Sequence, residues 1–520
     1  MKLERNAHPI TGLRHRRRAF SYSALAGLLA ATLVLSACSS SAPVESNNST
    51  GQSGTLRFGM TVQLNNWEPL FQDNSVYSSM VYEGLVTMAP DGVTVIPKLA
   101  TAWEESPTDL TLTLREGVKF HDGTPFDADA VVKNLERFFT TDGSPFQTLV
   151  DPETTVEAVD DNKVRINLPA PAPSLLINLA RSRAFVIAPS ALDAGTWKES
   201  PVGTGPYVYS PTDSTSGSVT VGNYFPDYYA PEEVHPERVE LYYISDGASI
   251  FNALQADQVD VGYVFASIAD QARSAGFEIS TFPANLVHLQ MYDTASTFED
   301  KRVRQAICYA MDTSEYREAL YGGEGDDYYQ RFQEGTEGYS ADVTGYPHDL
   351  DKAKSLMAEA GNPEISFSLI NYDSLKPIVE VFRSQMAEIG VTVNPELPTY
   401  AQFATAYLSG EYPATLFSDS LTSSSQDYYS YHYSSDGPGN PYNIEYPEID
   451  QLASEASLAE SPEARAEIWQ EMTNYVNDEA LDCGFYDNTY FWAYNPDVVS
   501  EPVSTRYVPG VFNYGSTVIG

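Results

Sequence analysis

Three cysteines and seven histidines are few for 520 residues, and 30 Lys and Arg stand against 71 Asp and Glu, a formal net charge of −41. So acidic a chain repels phosphate backbones and anionic headgroups, which excludes a nucleic-acid partner. Past the N-terminal segment the histidines are His121, His235, His288, His348 and His432, and no two have the spacing of a metal-ligand pair. A free metal ion as ligand is therefore disfavoured, and no metal or cofactor is expected. Gly-x-Ser-x-Gly, His-Glu-x-x-His and a nucleophile-type cysteine context are all missing, which disfavours a secreted hydrolase. Carboxylates are too abundant for any pair of them to signify acid–base chemistry. Internal repeats, the mark of an adhesin, are also absent. Beyond the N-terminal segment no apolar run is long enough to span a bilayer. Cys308 lies on an expected helix and Cys483 enters an expected strand; they could pair or stand as two buried thiols, because disulfide geometry is not readable from sequence.

The N-terminus supplies what the rest lacks. Arg14, Arg16, Arg17 and Arg18 precede an apolar stretch from Ala24 to Leu35, and Leu35-Ser36-Ala37-Cys38 closes it. A basic region, a short apolar core and small residues before a cysteine read as an export signal over 1–37. Leu-Ser-Ala-Cys resembles the bacterial lipobox, which implies that Cys38 becomes a diacylated N-terminus, and two acyl chains anchor stably. Arg17-Arg18-Ala19-Phe20 also permits twin-arginine export. The polar run 39–54 has almost nothing to bury and is expected to act as a flexible tether. The folded part would then stand on the outer face of the cell membrane.

Residues 38–520 exceed what one hydrophobic core organises, so two lobes are expected. Leu56–Val62 alternates as a first strand, Tyr77–Leu85 reads as a helix, and Leu110-Thr-Leu-Thr-Leu114 is a half-buried strand. Asp127 caps a helix running to about Phe139, with Ala130, Val131, Leu135 and Phe138 inward. Strand Ile365–Ile370, a helix opened by Pro377 and ended by Gly390, and strand Val391–Val393 make a βαβ unit with a parallel pair. Asp349–Gly361 and Ser461–Asn477 are further capped helices. In the helix around Val303, Ala306, Ile307 and Ala310, Arg304 and Gln305 are placed at the polar edge. His121-Asp122-Gly123 and Gly203-Thr-Gly205-Pro read as turns rather than as a catalytic pair or a phosphate cradle. The fold class is α/β.

The segment Ala100-Thr-Ala-Trp103-Glu-Glu-Ser106, continuing through Arg115-Glu-Gly117-Val-Lys-Phe120-His-Asp122-Gly123-Thr-Pro125 to Val131, resembles the family 5 extracellular solute-binding proteins. These are the peptide/nickel-type binding components of ABC importers. Val81-Tyr-Glu-Gly-Leu-Val86, Gly203-Thr-Gly205-Pro206-Tyr207, Val303-Arg304-Gln305-Ala306, Tyr309-Ala310-Met311-Asp312 and Asn443 with Pro447 and Asp450 continue the resemblance in order. It implies a large, class II type, periplasmic-binding-protein-like fold with an extra subdomain in the first lobe. Residues 55–265 with 495–520 would form one lobe and 266–494 the other, joined by crossing strands near Phe282–Gln290 and Phe485–Trp492. A solute would be held between the lobes and buried by hinge closure. The implied partners are an ABC permease with its ATPase subunits, the protein itself being a monomer and no enzyme.

Within that resemblance an oligopeptide is the favoured ligand, with an oligosaccharide or a metal chelate as alternatives. Peptide-binding relatives place a Trp and then an Asp in the strand region after Gly410-Glu-Tyr412, the Asp meeting the ligand's ammonium. Here the stretch reads Leu416-Phe417-Ser-Asp419-Ser-Leu-Thr422-Ser-Ser-Ser-Gln-Asp427. One register sets Asp419 at the aromatic position and Thr422 at the acidic one. A small shift restores Asp419 to ammonium recognition and lets Phe417 replace the Trp. Tyr428 and Tyr429 open a tyrosine-rich stretch to Tyr446 that suits amphipathic solutes. Trp67, in the loop after the first strand, is either a cleft residue or a buried packing residue.

Overall fold

The computed structural model describes residues 54–71, 75–89, 92, 94–420, 424–459, 461–500 and 514. Cys38 and Thr422 lie outside them. The strands in chain order are β1 (Thr55–Met60), β2 (Val86–Met88), β3 (Val95–Pro97), β4 (Ala100–Ser106), β5 (Asp109–Leu114), β6 (Thr155–Asp160), β7 (Lys163–Asn167), β8 (Tyr207–Tyr209) and β9 (Val219–Tyr224). They continue with β10 (Arg238–Tyr243), β11 (Val261–Val264), β12 (Glu278–Met291), β13 (Asp327–Tyr328), β14 (Ile365–Ile370), β15 (Val391–Glu396), β16 (Ala414–Ser420) and β17 (Asp482–Tyr494). The main sheet runs β15-β14-β16-β12-β17-β11-β1-β10-β9-β8, with β13 added against β17. A separate four-stranded sheet, β4-β5-β7-β6, and the β2-β3 pair complete the strands.

Two long antiparallel strands, β12 and β17, form the middle of the main sheet. They pair from Glu278 opposite Tyr494 to Gln290 opposite Asp482. At one end β17 also pairs with β11; at the other β12 also pairs with β16. Two register shifts, between Pro283 and Asn285 and between Val287 and Leu289, interrupt the pairing, and such bulges bend and twist a strand pair. The second shift contains Gly484 at φ 68°, a left-handed backbone that favours glycine, with the Met311 side chain packed against it.

The apolar residues divide among several cores. One packs the four-stranded sheet against the helix Ala128–Thr140 through Leu110, Leu112, Val131, Leu135 and Phe138. Asp127 accepts the Ala130 amide at 3.0 Å, a cap worth about 1 kcal/mol. A second core joins β12, β14, β15 and β16 to the helices Lys301–Ala310 and Lys376–Glu388. β14 and β15 are parallel, as the βαβ reading requires. A third surrounds β1 and β10 and includes Trp67. Helices Leu350–Glu359 and Pro462–Asp478 are capped by Asp349 and Ser461. Among the described residues no helix is long and apolar enough to cross a membrane.

Three readings change. The helix expected over Tyr77–Leu85 spans only Ser75–Val81, because the chain behind it meets the Gly203–Gly205 turn. There a Cβ on Gly203 would come within 2.2 Å of the Val81 carbonyl oxygen. Arg304 does not sit at a polar edge: it is 5% exposed, donates to the carbonyls of Phe298, Glu299 and Glu479, and pairs with the Glu479 carboxylate at 3.0 Å. A guanidinium with that many acceptors can be buried at acceptable cost. Cys308 and Cys483, left open by the sequence, form a disulfide that ties the helix Lys301–Ala310 to the start of β17.

Candidate functional site

Antiparallel pairing of β12 with β16 sets His288 opposite Phe417 and Leu286 opposite Asp419. Directly opposed residues share a face and alternate residues share it too, so His288, Phe417 and Asp419 project together. Their neighbours Val287, Leu289, Ala414 and Leu416 turn into the core on the other side. Helix Ser425–His432 packs over the polar face and adds Tyr428, Tyr431 and His432.

The result is a carboxylate clasped from three sides. Oδ2 of Asp419 accepts Nε2–H of His288 at 3.0 Å and of His432 at 2.9 Å, and Nε of Arg331 stands 3.7 Å away. Both imidazoles are almost fully buried, whereas the Asp419 side chain keeps 12% of its surface open. Oδ1 accepts no hydrogen bond among the described residues. The Arg331 guanidinium lies 4.8 Å from the Tyr428 ring centre, a cation–π contact. Burial by itself would raise the Asp419 carboxyl. The charge of His432, the two imidazole hydrogen bonds and Arg331 outweigh it and hold the group well below the usual aspartate range. Burial pushes His432 down against the pull of Asp419 and its hydrogen bond.

Linkage gives the Asp419 carboxylate a pH signature. A carboxylate depressed in the folded state contributes stability that is complete above its unfolded value near 4 and is lost as the pH falls toward the folded one. Unfolding free energy measured by urea titration is expected to drop in the wild type as the pH is lowered below about 4. Asp419→Asn, which lacks the titrating group, is expected to show a shallower drop; identical slopes would remove Asp419 as the cause.

Two histidines and an aspartate within 4.8 Å of one another also raise the question of a metal. Sequence spacing gave no sign of the pair, which the fold assembles from residues 144 positions apart. The donor set fits a cation poorly. Ligation through Nε2 would put the protons on both Nδ1 atoms, and these are buried with no hydrogen-bond partner, whereas ligating imidazoles almost always donate to a second group.

Around Asp419 stands an aromatic wall. Phe417 lies 5.6 Å from Tyr407 and 5.8 Å from Tyr431, and Tyr407 stacks on Phe403 at 5.7 Å. Phe403, Phe417 and Tyr431 are only half-buried, leaving apolar face with hydroxyls at its margin.

The structure thus brings Phe417, Asp419 and Tyr428 together. Tyr428 is a buried wall residue, its hydroxyl donating to Asp482. Tyr429 points elsewhere and donates to Asp450 at 2.9 Å, since neighbours on a helix face different ways. Trp67 is 2% exposed and packs 4.9 Å from Tyr209, so most of its indole is core. It nevertheless borders a separate cavity of about 250 Å³ beside the ends of β1 and β10, with Asn65, Asn66, Lys198 and Tyr209. Sequence reasoning missed His288 and Arg331. The signal available for His288 was the alternation Leu286-Val-His288-Leu-Gln290, which puts two polar residues on one face of a buried strand; Arg331 has no comparable signal.

Residues 94–441 match the family described as bacterial extracellular solute-binding proteins, family 5 Middle. Heme-binding protein A of Haemophilus influenzae is 29% identical over 513 residues, covering 87% of this chain and 91% of that protein. A probable D,D-dipeptide-binding periplasmic protein of Escherichia coli is 24% identical over 474 residues, covering 85% and 88%. Among solved structures, the ABC transporter substrate-binding protein CtaP of Listeria monocytogenes superposes with a TM-score of 0.78 at 23% identity, over 90% of this chain and 99% of that one. NikA of Brucella suis, solved with Fe(III)-EDTA, gives 0.77 at 22% identity over 88% and 99%. These likenesses show the two-lobed binding-protein fold, and the relatives are solute carriers rather than enzymes. The chain belongs to the family 5 extracellular solute-binding proteins and is the substrate-binding component of an ABC transporter.

Proposed function

We propose that this protein captures an oligopeptide outside the cell and delivers it to its permease, with the peptide's ammonium meeting Oδ1 of Asp419. The observation that carries the reading is the clasp: Oδ2 is held by His288 and His432 while Oδ1 accepts no hydrogen bond among the described residues. A carboxylate held in one orientation loses little freedom on binding, and a charge-assisted bond to an ammonium is the contact it offers. Phe417 and Tyr431 would cover the first side chain. The ligand would sit between a lobe of 55–265 with 495–520 and a lobe of 266–494, joined along β12 and β17.

Thermal unfolding in the presence of di- to pentapeptides tests this. Stabilisation of about 2.7 kcal/mol is expected at a hundredfold excess over Kd, and N-acetylation of the peptide should abolish it. Stabilisation by oligosaccharides or metal chelates with none from peptides would replace the ligand class. Equal stabilisation by acetylated peptides would remove the ammonium from recognition.

We also infer lipid anchoring through Cys38, from the lipobox resemblance. Cys38→Ser is expected to move the protein from the membrane fraction to the medium; retention in the membrane fraction would overturn it.

A further inference from the structure

One carboxylate bridges parts of the chain that otherwise belong to different cores. Asp427 lies in the first turn of the helix Ser425–His432, behind its Ser424 cap. Its Oδ2 accepts Nδ2–H of Asn178 at 3.1 Å and stands 3.8 Å from Nη2 of Arg181. Asn178 lies in the short helix Leu175–Leu179, and Leu175, Leu179 and Ala180 belong to the core of the four-stranded sheet. The helix Ser425–His432 belongs to the opposite body: Tyr428 packs with Ile449, Leu452 and Trp469. At its other end the same helix delivers His432 to Asp419.

We propose that Asp427 is a latch between the two lobes, holding the Asn178–Arg181 segment onto the helix that carries His432 and Tyr431 into the solute site. The charges explain why one carboxylate matters. Arg181 stands in the field of its chain neighbour Arg183 and of Arg331, which both disfavour its charge, while burial strips its solvent; Asp427 opposes all three. The pair is half-shielded, with side chains 26% and 20% exposed, so screening by salt is partial. Removing one partner of such a pair costs more than the pair contributes, because the remaining charge is left desolvated. A second contact of opposite polarity, Arg465 with Glu105 at 4.0 Å, sits between the same two bodies. Since the helix is held at one end by the other lobe and at the other by the solute-site carboxylate, closure and site geometry are mechanically joined.

Amide hydrogen exchange on the full chain, with no solute added, tests the latch separately from the peptide reading. In Asp427→Asn, exchange is expected to rise about tenfold over 175–184 and 425–432, while β12 and β17 stay protected. Adding Arg181→Gln should return both segments toward wild type, because the cation that Asp427 opposed is then gone. Unchanged exchange in Asp427→Asn overturns the latch. A rise that Arg181→Gln does not reverse also overturns it, and makes Asp427 a residue of its own helix only. If Asp427→Asn loses protection throughout, Arg181→Glu decides: it sets two carboxylates face to face without touching the helix. It must raise exchange over 425–432, and failure to do so rejects the latch. Peptide binding is not part of either outcome.

Discussion

Asp419→Ala is expected to lower the unfolding free energy by about 3–5 kcal/mol, more than any other single substitution at the site. The cause is what it leaves behind. His288 and His432 each lose the acceptor of a buried Nε2–H, and Arg331, 4% exposed, loses the Asp419 carboxylate 3.7 Å from its Nε. Each buried donor without a partner costs about 1–3 kcal/mol, and a charge costs more. A urea titration reads the loss as a lower midpoint. Asp419→Asn should recover roughly half, because its amide oxygen can still accept both imidazoles. A change below about 1 kcal/mol in the alanine variant would mean the clasp has no energetic weight. The same logic warns against reading a lost peptide affinity in Asp419→Ala as lost contact alone; the asparagine variant, which preserves shape, separates ammonium recognition from collapse of the clasp.

The second large effect belongs to the disulfide. Replacing Cys308 and Cys483 together by alanine is expected to cost about 2–5 kcal/mol, the upper end following from the 175-residue separation that the bond closes. It also removes a tie at a sensitive place. Cys483 is opposite Leu289 in the β12–β17 pairing, and the adjacent Asp482 accepts the hydroxyls of Tyr428 and Tyr433. Loosening the start of β17 should therefore weaken solute binding as well as stability. Urea unfolding with and without reductant checks the first part, and titration of a stabilising peptide against the double variant checks the second. A reductant-insensitive midpoint would argue that the bond contributes nothing to the folded state.

Local signals were legible and distant ones were not. The strand at 110–114, the Asp127 and Ser461 caps and the parallel pair around Lys376–Glu388 follow from period and cap chemistry within a few residues. Asp419 and Phe417 were reachable because they lie within one recognisable stretch. His288 became a partner of Asp419 only through strand pairing across 131 residues, and Arg331 arrives on an irregular segment with no period to read. Arg304 was misjudged for the same reason: the acceptor carbonyls that permit its burial come partly from Glu479, 175 residues away. A helix stripe reveals which side is apolar, but not whether a charged neighbour finds enough acceptors to go inside.

The two register shifts in β12 and β17 oppose each other. Between Pro283 and Asn285 the extra residue is on β12; between Val287 and Leu289 it is on β17. From Pro283 to Leu289, and from Thr489 to Cys483, both strands advance six positions, so the phase lost at one shift is regained at the other. Side chains alternate with period two, so a single residue gained or lost in this stretch would turn one half of the strand over. His288 would face the core and Leu289 the side that carries Asp419. Homologues of this chain should therefore vary freely in loop length, yet change length within this strand pair only by compensated steps, which makes an unmatched gap there a mark of a protein that no longer binds the same way.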